Sequence, residues 1–419
     1  MNTDRWIVIL ILQCLSLTAY AQAPVEDYEY ERSSLYMMMV KHPQYVYNKE
    51  IEHVFSHIDF PDRFNDHSLQ NKSVIFSSSS DDLSSSIDKF LKQKEIGRRL
   101  VSKWFNRTKK GTFDMSVIKE RGLYNASVTD WHMAAMTVRN KAVLEDAGEN
   151  LIDNTYIVVN DIRYINRSTA WNSIKEIASA ASGLAVGMVS IFTVGADVTG
   201  FGQGKEKAGC EYAWLYGQLT DKIKGFAVST TSYLFRLKWN EETANRFYQD
   251  YYMEEDDYDA SKAEAYVKEA GPLFDMEYIG QVQSKSSKTV LSGVRTNEEL
   301  IRKVCTRALD KNLAELQHHF SDFRIKAPLV SVSPIRAYIG MKEDMTEESR
   351  YEVLERIATD DGRIAYKRVG LIKPVKDKIW DNRFMAIDEG AVNATIDGTT
   401  FEIVSGKNFY PGMLIRECE

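Results

Sequence analysis

Two histidines spaced like neighbours on a helix are the residues most suggestive of chemistry. His53 and His57 would share one helical face, because side chains at i and i+4 lie together there. Such a pair can bind zinc, although no glutamate follows His53 to complete an H-E-x-x-H motif. Asp59, Asp62 and His67 are the nearby side chains that could complete a site. The metal candidates are therefore His53, His57 and His67, and solvated surface histidines are the competing interpretation.

Three further segments contain residue types used in catalysis or ligand binding. Serines 77–80 lack both a G-x-S-x-G pattern and an evident base, so helix capping and loop solubility explain them better than a nucleophile does. Residues 200–204 are glycine-rich and precede Lys205, but they match neither phosphate-binding pattern. The acidic residues 254–257 could bind calcium weakly, although the EF-hand spacing is absent. The sequence thus predicts no catalytic residue and no cofactor.

A buried strand is predicted at residues 155–159, around which the other elements are organised. This segment, Thr-Tyr-Ile-Val-Val, is β-branched and aromatic and carries no charge. A helical pattern at residues 128–148 precedes it, and a second strand at residues 226–239 follows. Residues 86–105 predict one long helix, and residues 34–40 predict an edge strand. The fold class predicted from this order is α/β, with α+β as the alternative.

The sequence pattern changes at Pro328. Long helices, the last at residues 298–323, give way there to short strands separated by turns. We predict a layered sheet-and-helix domain followed by a small β-barrel domain. The predicted divisions are a signal peptide at 1–21, a lead-in at 22–69, the α/β domain at 70–327 and the barrel at 328–419.

The first residues indicate export. Arg5 precedes a short apolar run, and small residues at Ala19 and Ala21 form a cleavage site typical of a secretory signal peptide. Cleavage after Ala23 is an alternative, and a lipid anchor at Cys14 is a competing interpretation. The protein is expected in the periplasm or associated with the outer membrane.

Composition excludes some partners. The net charge is −7, which gives no reason to expect nucleic acid binding. The cysteines remaining after cleavage at residue 21 are Cys210, Cys305 and Cys418, an odd number without the spacing of a disulfide framework. We expect no disulfide among them.

Two segments inside the α/β domain differ from their surroundings. Residues 177–196 carry no charge and are long enough to cross a bilayer, although their small and polar residues also fit a buried hairpin helix. Residues 240–262 are acidic and rich in tyrosine, which predicts a solvated insertion of helix and loop.

The order of these elements resembles a known domain. The segment V-I-K-E-R-G-L at residues 117–123, followed by a helix and the strand at 154–159, resembles the periplasmic α/β domain of the curli secretion channel family and its flagellar-assembly relatives. The C-terminal region is similar to an SH3-like barrel, since Gly340 and Tyr351 fit its turn motif while Met345 and Ser349 depart from it. The chain also looks like uncharacterised exported proteins of Bacteroidota.

These observations predict a non-catalytic assembly or interaction module of the cell envelope. Its expected partner is another protein or further copies of itself, and residues 177–196 are the segment through which it would associate with a membrane. The resemblance to the curli channel implies an alternative function, a membrane-inserted oligomer or a component of a secretion pore. A hydrolase with an unrecognised site is a second alternative.

Overall fold

The computed structural model describes residues 33–76, 82–125, 151–165, 223–291, 297–358 and 364–418. Several sequence predictions lie outside these residues. They concern the signal peptide, Cys14, the serines at 77–80, the helix at 128–148, the apolar segment at 177–196, the glycines at 200–204 and Cys210.

A six-stranded mixed sheet forms the centre of the first domain. Its order is β2-β1-β4-β5-β6, with β3 also paired to β1. Strand β1 runs parallel to β2, β3 and β4, whereas β5 and β6 continue the sheet in antiparallel pairs. The strands are β1 (Ser34–Val40), β2 (Asn65–Asp66), β3 (Ser73–Val74), β4 (Thr155–Tyr164), β5 (Ile223–Leu237) and β6 (Met276–Leu291). The expectation of an edge strand at residues 34–40 was wrong, because β1 lies between β4 and the two short strands.

Helices cover both faces of the sheet, so the predicted α/β class is confirmed. The helices are α1 (Asn48–His57), α2 (Leu83–Gln93), α3 (Ile96–Trp104), α4 (Ser116–Asn125), α5 (Glu241–Asp250), α6 (Ala260–Lys268) and α7 (Asn297–His319). One face, called face A, packs against α2 to α6, and face B packs against α1 and α7. Ile157 and Val159 of β4 point into face A, while Tyr156 and Val158 point into face B. The predicted doubly buried strand is thereby confirmed.

The acidic segment at residues 240–262 contributes to the core. Helix α5 begins after Asn240, whose side chain accepts a hydrogen bond of 2.9 Å from the Thr243 backbone N–H. Phe247 and Tyr251 are buried in the core of face A, whereas residues 254–257 are exposed. The expectation of a wholly solvated insertion was therefore wrong, because the aromatic side of α5 covers the sheet.

A closed six-stranded barrel forms the C-terminal region, which confirms the predicted small barrel. Its order is β10-β11-β8-β7-β12-β9. The strands are β7 (Ala327–Val332), β8 (Ile335–Ala337), β9 (Tyr351–Ala358), β10 (Ile364–Pro374), β11 (Thr399–Gly406) and β12 (Leu414–Glu417). Met345, which departs from the SH3-like motif, is buried in the barrel core. Gly340 approaches the Trp380 backbone carbonyl so closely that a Cβ atom would collide with it.

Helix α7 packs one side against face B of the sheet and contacts the barrel with its opposite side. Arg307 Nε donates to the Phe384 carbonyl at 3.1 Å. Asp310 Oδ1 lies 3.8 Å from Lys342 Nζ at the same junction. Burial raises the pKa of Asp310 to about 6, with the Lys342 charge opposing this rise and Glu343 adding to it. The folded protein therefore binds this proton more tightly than the unfolded chain does.

This raised pKa predicts a pH dependence of stability. Between about pH 4 and pH 6 the folded state holds a proton on Asp310 that the unfolded state releases, so the free energy of unfolding falls as pH rises, by up to about 3 kcal/mol. Asp310→Asn should remove this part of the decline in urea titrations at several pH values. Asp256→Asn, at an exposed position, should retain it. An undiminished decline in Asp310→Asn would contradict the assignment.

Candidate functional site

Face A changes from apolar to polar along its length. Near the start of β4, Ile157 pairs with Phe235 of β5 and Val159 pairs with Tyr233. These four side chains are buried in the core. Further along, two polar rows cross three adjacent strands. One row is Asp161, Thr231 and Gln283, and the other is Arg163, Ser229 and Lys285. We call these six residues, together with His42, the polar patch.

Asp161 is the centre of the polar patch. Its carboxylate Oδ1 lies 2.5 Å from His42 Nε2, and Arg163 Nε donates to its two oxygens at 3.1 and 2.9 Å. A second Arg163 nitrogen, Nη2, lies 2.7 Å from Oδ2. Burial alone would raise the pKa of Asp161, but the hydrogen bonds from His42 and Arg163 outweigh it and lower that pKa. The buried carboxylate is therefore charged and holds both partners in place.

The turn after β1 positions His42. Its backbone N–H donates to Asn48 Oδ1 at 2.7 Å, and its ring stacks on Tyr45 with the ring centroids 5.1 Å apart. His42 follows the carboxyl end of β1, and Asp161 lies near the carboxyl end of its parallel neighbour β4. Ligands of open α/β sheets commonly bind beside these strand ends, which makes the position a candidate functional site.

Several hydrogen-bonding groups of the polar patch are exposed. Asp161 engages Nε2 of His42, so Nδ1 is the other ring nitrogen that could donate or accept a hydrogen bond. Arg163 keeps 48% of its side chain exposed, and Gln283 and Lys285 are exposed on β6. A histidine oriented by a carboxylate can also activate a nucleophile, but no hydroxyl or thiol is hydrogen bonded to His42 in the described part of the chain.

The histidines singled out in the sequence do not form one site. His53 and His57 stack on the exposed side of α1, with ring centroids 4.4 Å apart, next to face B. His67 is buried on the opposite face of the sheet, where its ring stacks on Trp104 at 4.9 Å. Asp62 lines a cavity at the junction near Asp310. Within the described ranges, no three His, Cys, Asp or Glu side chains are grouped to hold a metal ion.

His67 instead contributes to packing. Its Nε2 donates to the Leu100 carbonyl at 2.9 Å, while Trp104 Nε1 donates to Thr155 Oγ1 at 2.8 Å. Burial lowers the pKa of His67 well below its usual value, and the charge of Arg121 acts in the same direction. The imidazole is therefore neutral in the folded protein at neutral pH.

The lowered pKa predicts acid sensitivity. Below about pH 6.5 the unfolded chain binds a proton on His67 that the folded chain does not, so stability falls by up to about 1.4 kcal/mol per pH unit. His67→Gln keeps a donor for Leu100 but does not titrate. The stability of this variant relative to the original protein should rise as pH falls from 7 to 5. A pH-independent difference, measured by urea titration, would contradict this role.

Comparison with known proteins gives no family assignment: no family model matches the sequence, and no curated protein matches it significantly. The closed barrel agrees with the coarse part of the resemblance, a small C-terminal barrel. The comparisons add no support for the curli-channel or Bacteroidota resemblances.

Among the helices that the structure describes, none is long and apolar enough to cross a membrane. Cys305 and Cys418 are free thiols.

The sequence analysis missed His42, Asp161 and Arg163 as a group. His42 and Asp161 are separated by 119 residues, and only the parallel pairing of β1 with β4 brings them together. A usable signal was present for two of them, because His42 and Asp161 each lie two residues after an apolar run that predicts a strand.

Proposed function

We propose that this protein is an exported, non-catalytic interaction module of the cell envelope that binds a protein partner through the polar patch. The observation that carries this proposal is the pair of polar rows on a sheet face that is apolar elsewhere. A face that needed only to be covered by the protein's own core would remain apolar along its length. The polar rows provide hydrogen-bonding groups at fixed spacings instead.

The geometry of Arg163 favours recognition of a protein surface. Its guanidinium is already oriented by Asp161, so binding a partner would restrict few additional rotamers. Arginine is also enriched at protein interfaces, and the rim of such an interface is polar and hydrated. The patch carries two positive charges, on Arg163 and Lys285, and one negative charge, on Asp161. This excess of positive charge favours a partner with acidic or carbonyl groups.

Export is proposed from the predicted signal peptide at residues 1–21. A location in the periplasm or at the outer membrane follows from it, and the partner is either another envelope protein or a second copy of this chain. This proposal keeps the envelope setting of the sequence-based hypothesis and adds a surface through which the interaction occurs.

Site-specific photo-crosslinking in cells tests the proposal. A photoreactive residue replacing Gln283 should give a crosslinked product of defined mass when the full chain is irradiated in its own envelope. The matched control replaces Gln249, an exposed glutamine on α5 remote from the patch in the fold, and should give no such product. Adding Lys285→Glu should lower the yield at Gln283 by up to about fivefold, because an exposed ion pair contributes at most roughly 1 kcal/mol.

Two results would contradict the proposal. Absence of any product at Gln283 would remove the patch as a contact surface. Identical products at Gln283 and Gln249 would show that the protein is crosslinked by random collisions with other molecules and not through a specific surface. The mass of a specific product also separates a second copy of this chain from a different protein.

A further inference from the structure

A groove lies beside β3, on face A and separate from the polar patch. It is bounded by β1, β3 and the helices α2 and α3, and its volume is about 340 Å³. Ligand pockets commonly have volumes of roughly 300 to 1,000 Å³, so the groove can hold a small molecule. We call it the basic groove. Its apolar lining consists of Tyr36, Met38, Val74, Ile75, Phe90 and Ile96.

The charged groups of the basic groove are all cationic. Lys41, Lys94 and Arg99 line it, and no acidic side chain does so among the described residues. Lys41 forms an ion pair with Glu52. Lys94 and Arg99 have no acidic partner within the part of the chain that the structure describes.

Neighbouring cations on the same two helices are neutralised differently. Lys92 lies 2.9 Å from Asp88, and Arg98 forms an ion pair with Glu95. Lys94 and Arg99, which have no such partner among the described residues, both line the apolar groove. This arrangement places uncompensated positive charge beside a surface suited to hydrocarbon.

Tyr36 completes the wall without adding negative charge. Its hydroxyl donates to the backbone carbonyl of Asn71, and burial raises the pKa of Tyr36 to about 12 although the charge of Arg99 opposes the rise. The phenol therefore stays neutral, and its ring contributes to the apolar side of the groove.

We propose that the basic groove binds a single-chain anionic amphiphile. Its carboxylate or phosphate head lies between Lys94 and Arg99, and its apolar chain lies along Met38, Val74 and Phe90. Charge complementarity identifies the head, and the apolar floor identifies the chain. This site is additional to the proposed protein partner and does not depend on it.

Isothermal titration of the mature full chain with sodium decanoate, below its micelle-forming concentration, tests the inference. Decanoate should bind saturably with one site per chain. The double variant Lys94→Gln/Arg99→Gln should bind it at least about tenfold more weakly, since tenfold corresponds to one lost charge contact. Lys110→Gln/Lys268→Gln, which removes two exposed lysines, controls for the change of net charge and should bind decanoate normally.

A second variant tests shape while keeping both cations. Asn71→Trp should fill the mouth of the groove and weaken decanoate binding, because Tyr36 uses only the Asn71 backbone carbonyl. Circular dichroism and thermal unfolding must match the original protein for both variants. Decyl phosphate and decanoate, compared side by side, distinguish a phosphate head from a carboxylate head, and binding of either supports the inference.

Three results would overturn it. These are absence of binding by decanoate and decyl phosphate, equal binding of decyltrimethylammonium, and decanoate affinities unchanged in both variants. Each removes the requirement for positive charge or for the groove itself.

Discussion

The burial of β4 on both faces is the constraint on which the rest of this structure depends. Its first eight residues are buried, so helices must cover both sides of the sheet at this strand. Asn160 lies within this buried run and donates to the Met38 carbonyl at 3.1 Å, while Ser232 donates to Asn160 Oδ1 at 2.6 Å. Asn312 of α7 donates to Ser232 Oγ at 2.8 Å. These hydrogen bonds fix the alignment of β1, β4, β5 and α7, because a shifted strand would leave buried polar groups without partners.

This arrangement divides the two faces of the sheet by role. Face B is occupied by α7, which also joins the sheet to the barrel through Arg307 and Asp310. Face A is apolar where α2 to α6 cover it and polar where Asp161 and Arg163 lie. Asp161 is buried and contacts both His42 and Arg163, while the Arg163 side chain stays 48% exposed.

Features set by local composition were predictable from the sequence. The uncharged, β-branched run of β4 predicted its burial, and the change at Pro328 predicted the barrel. The predicted single helix at residues 86–105 was wrong: α2 and α3 are separated at Lys94 and Glu95, where Glu95 has a positive φ of 48°. Gly97 follows this break and allows α3 to approach the Phe274 carbonyl, a long-range contact that helical periodicity does not reveal.

The candidate site was less predictable, because its members come from different strands. His42, Asp161 and Lys285 have no shared motif, and their proximity follows from strand order and register. The spacing of His53 and His57 in α1 was visible in the sequence. It describes only one helix, however, and cannot show which other residue would lie close enough to complete a metal site. Tertiary pairing, rather than local pattern, creates the polar patch.

Lysine footprinting tests the central claim, that the polar patch is open in the free protein and covered by a partner in the envelope. The acetylation rate of each lysine would be compared between purified protein and intact envelopes. We predict that Lys285 reacts rapidly when purified and is protected in envelopes, while exposed Lys268 reacts equally in both and buried Lys303 slowly in both. Rapid reaction of Lys285 in both states would contradict docking at the patch, and slow reaction in both would contradict its exposure.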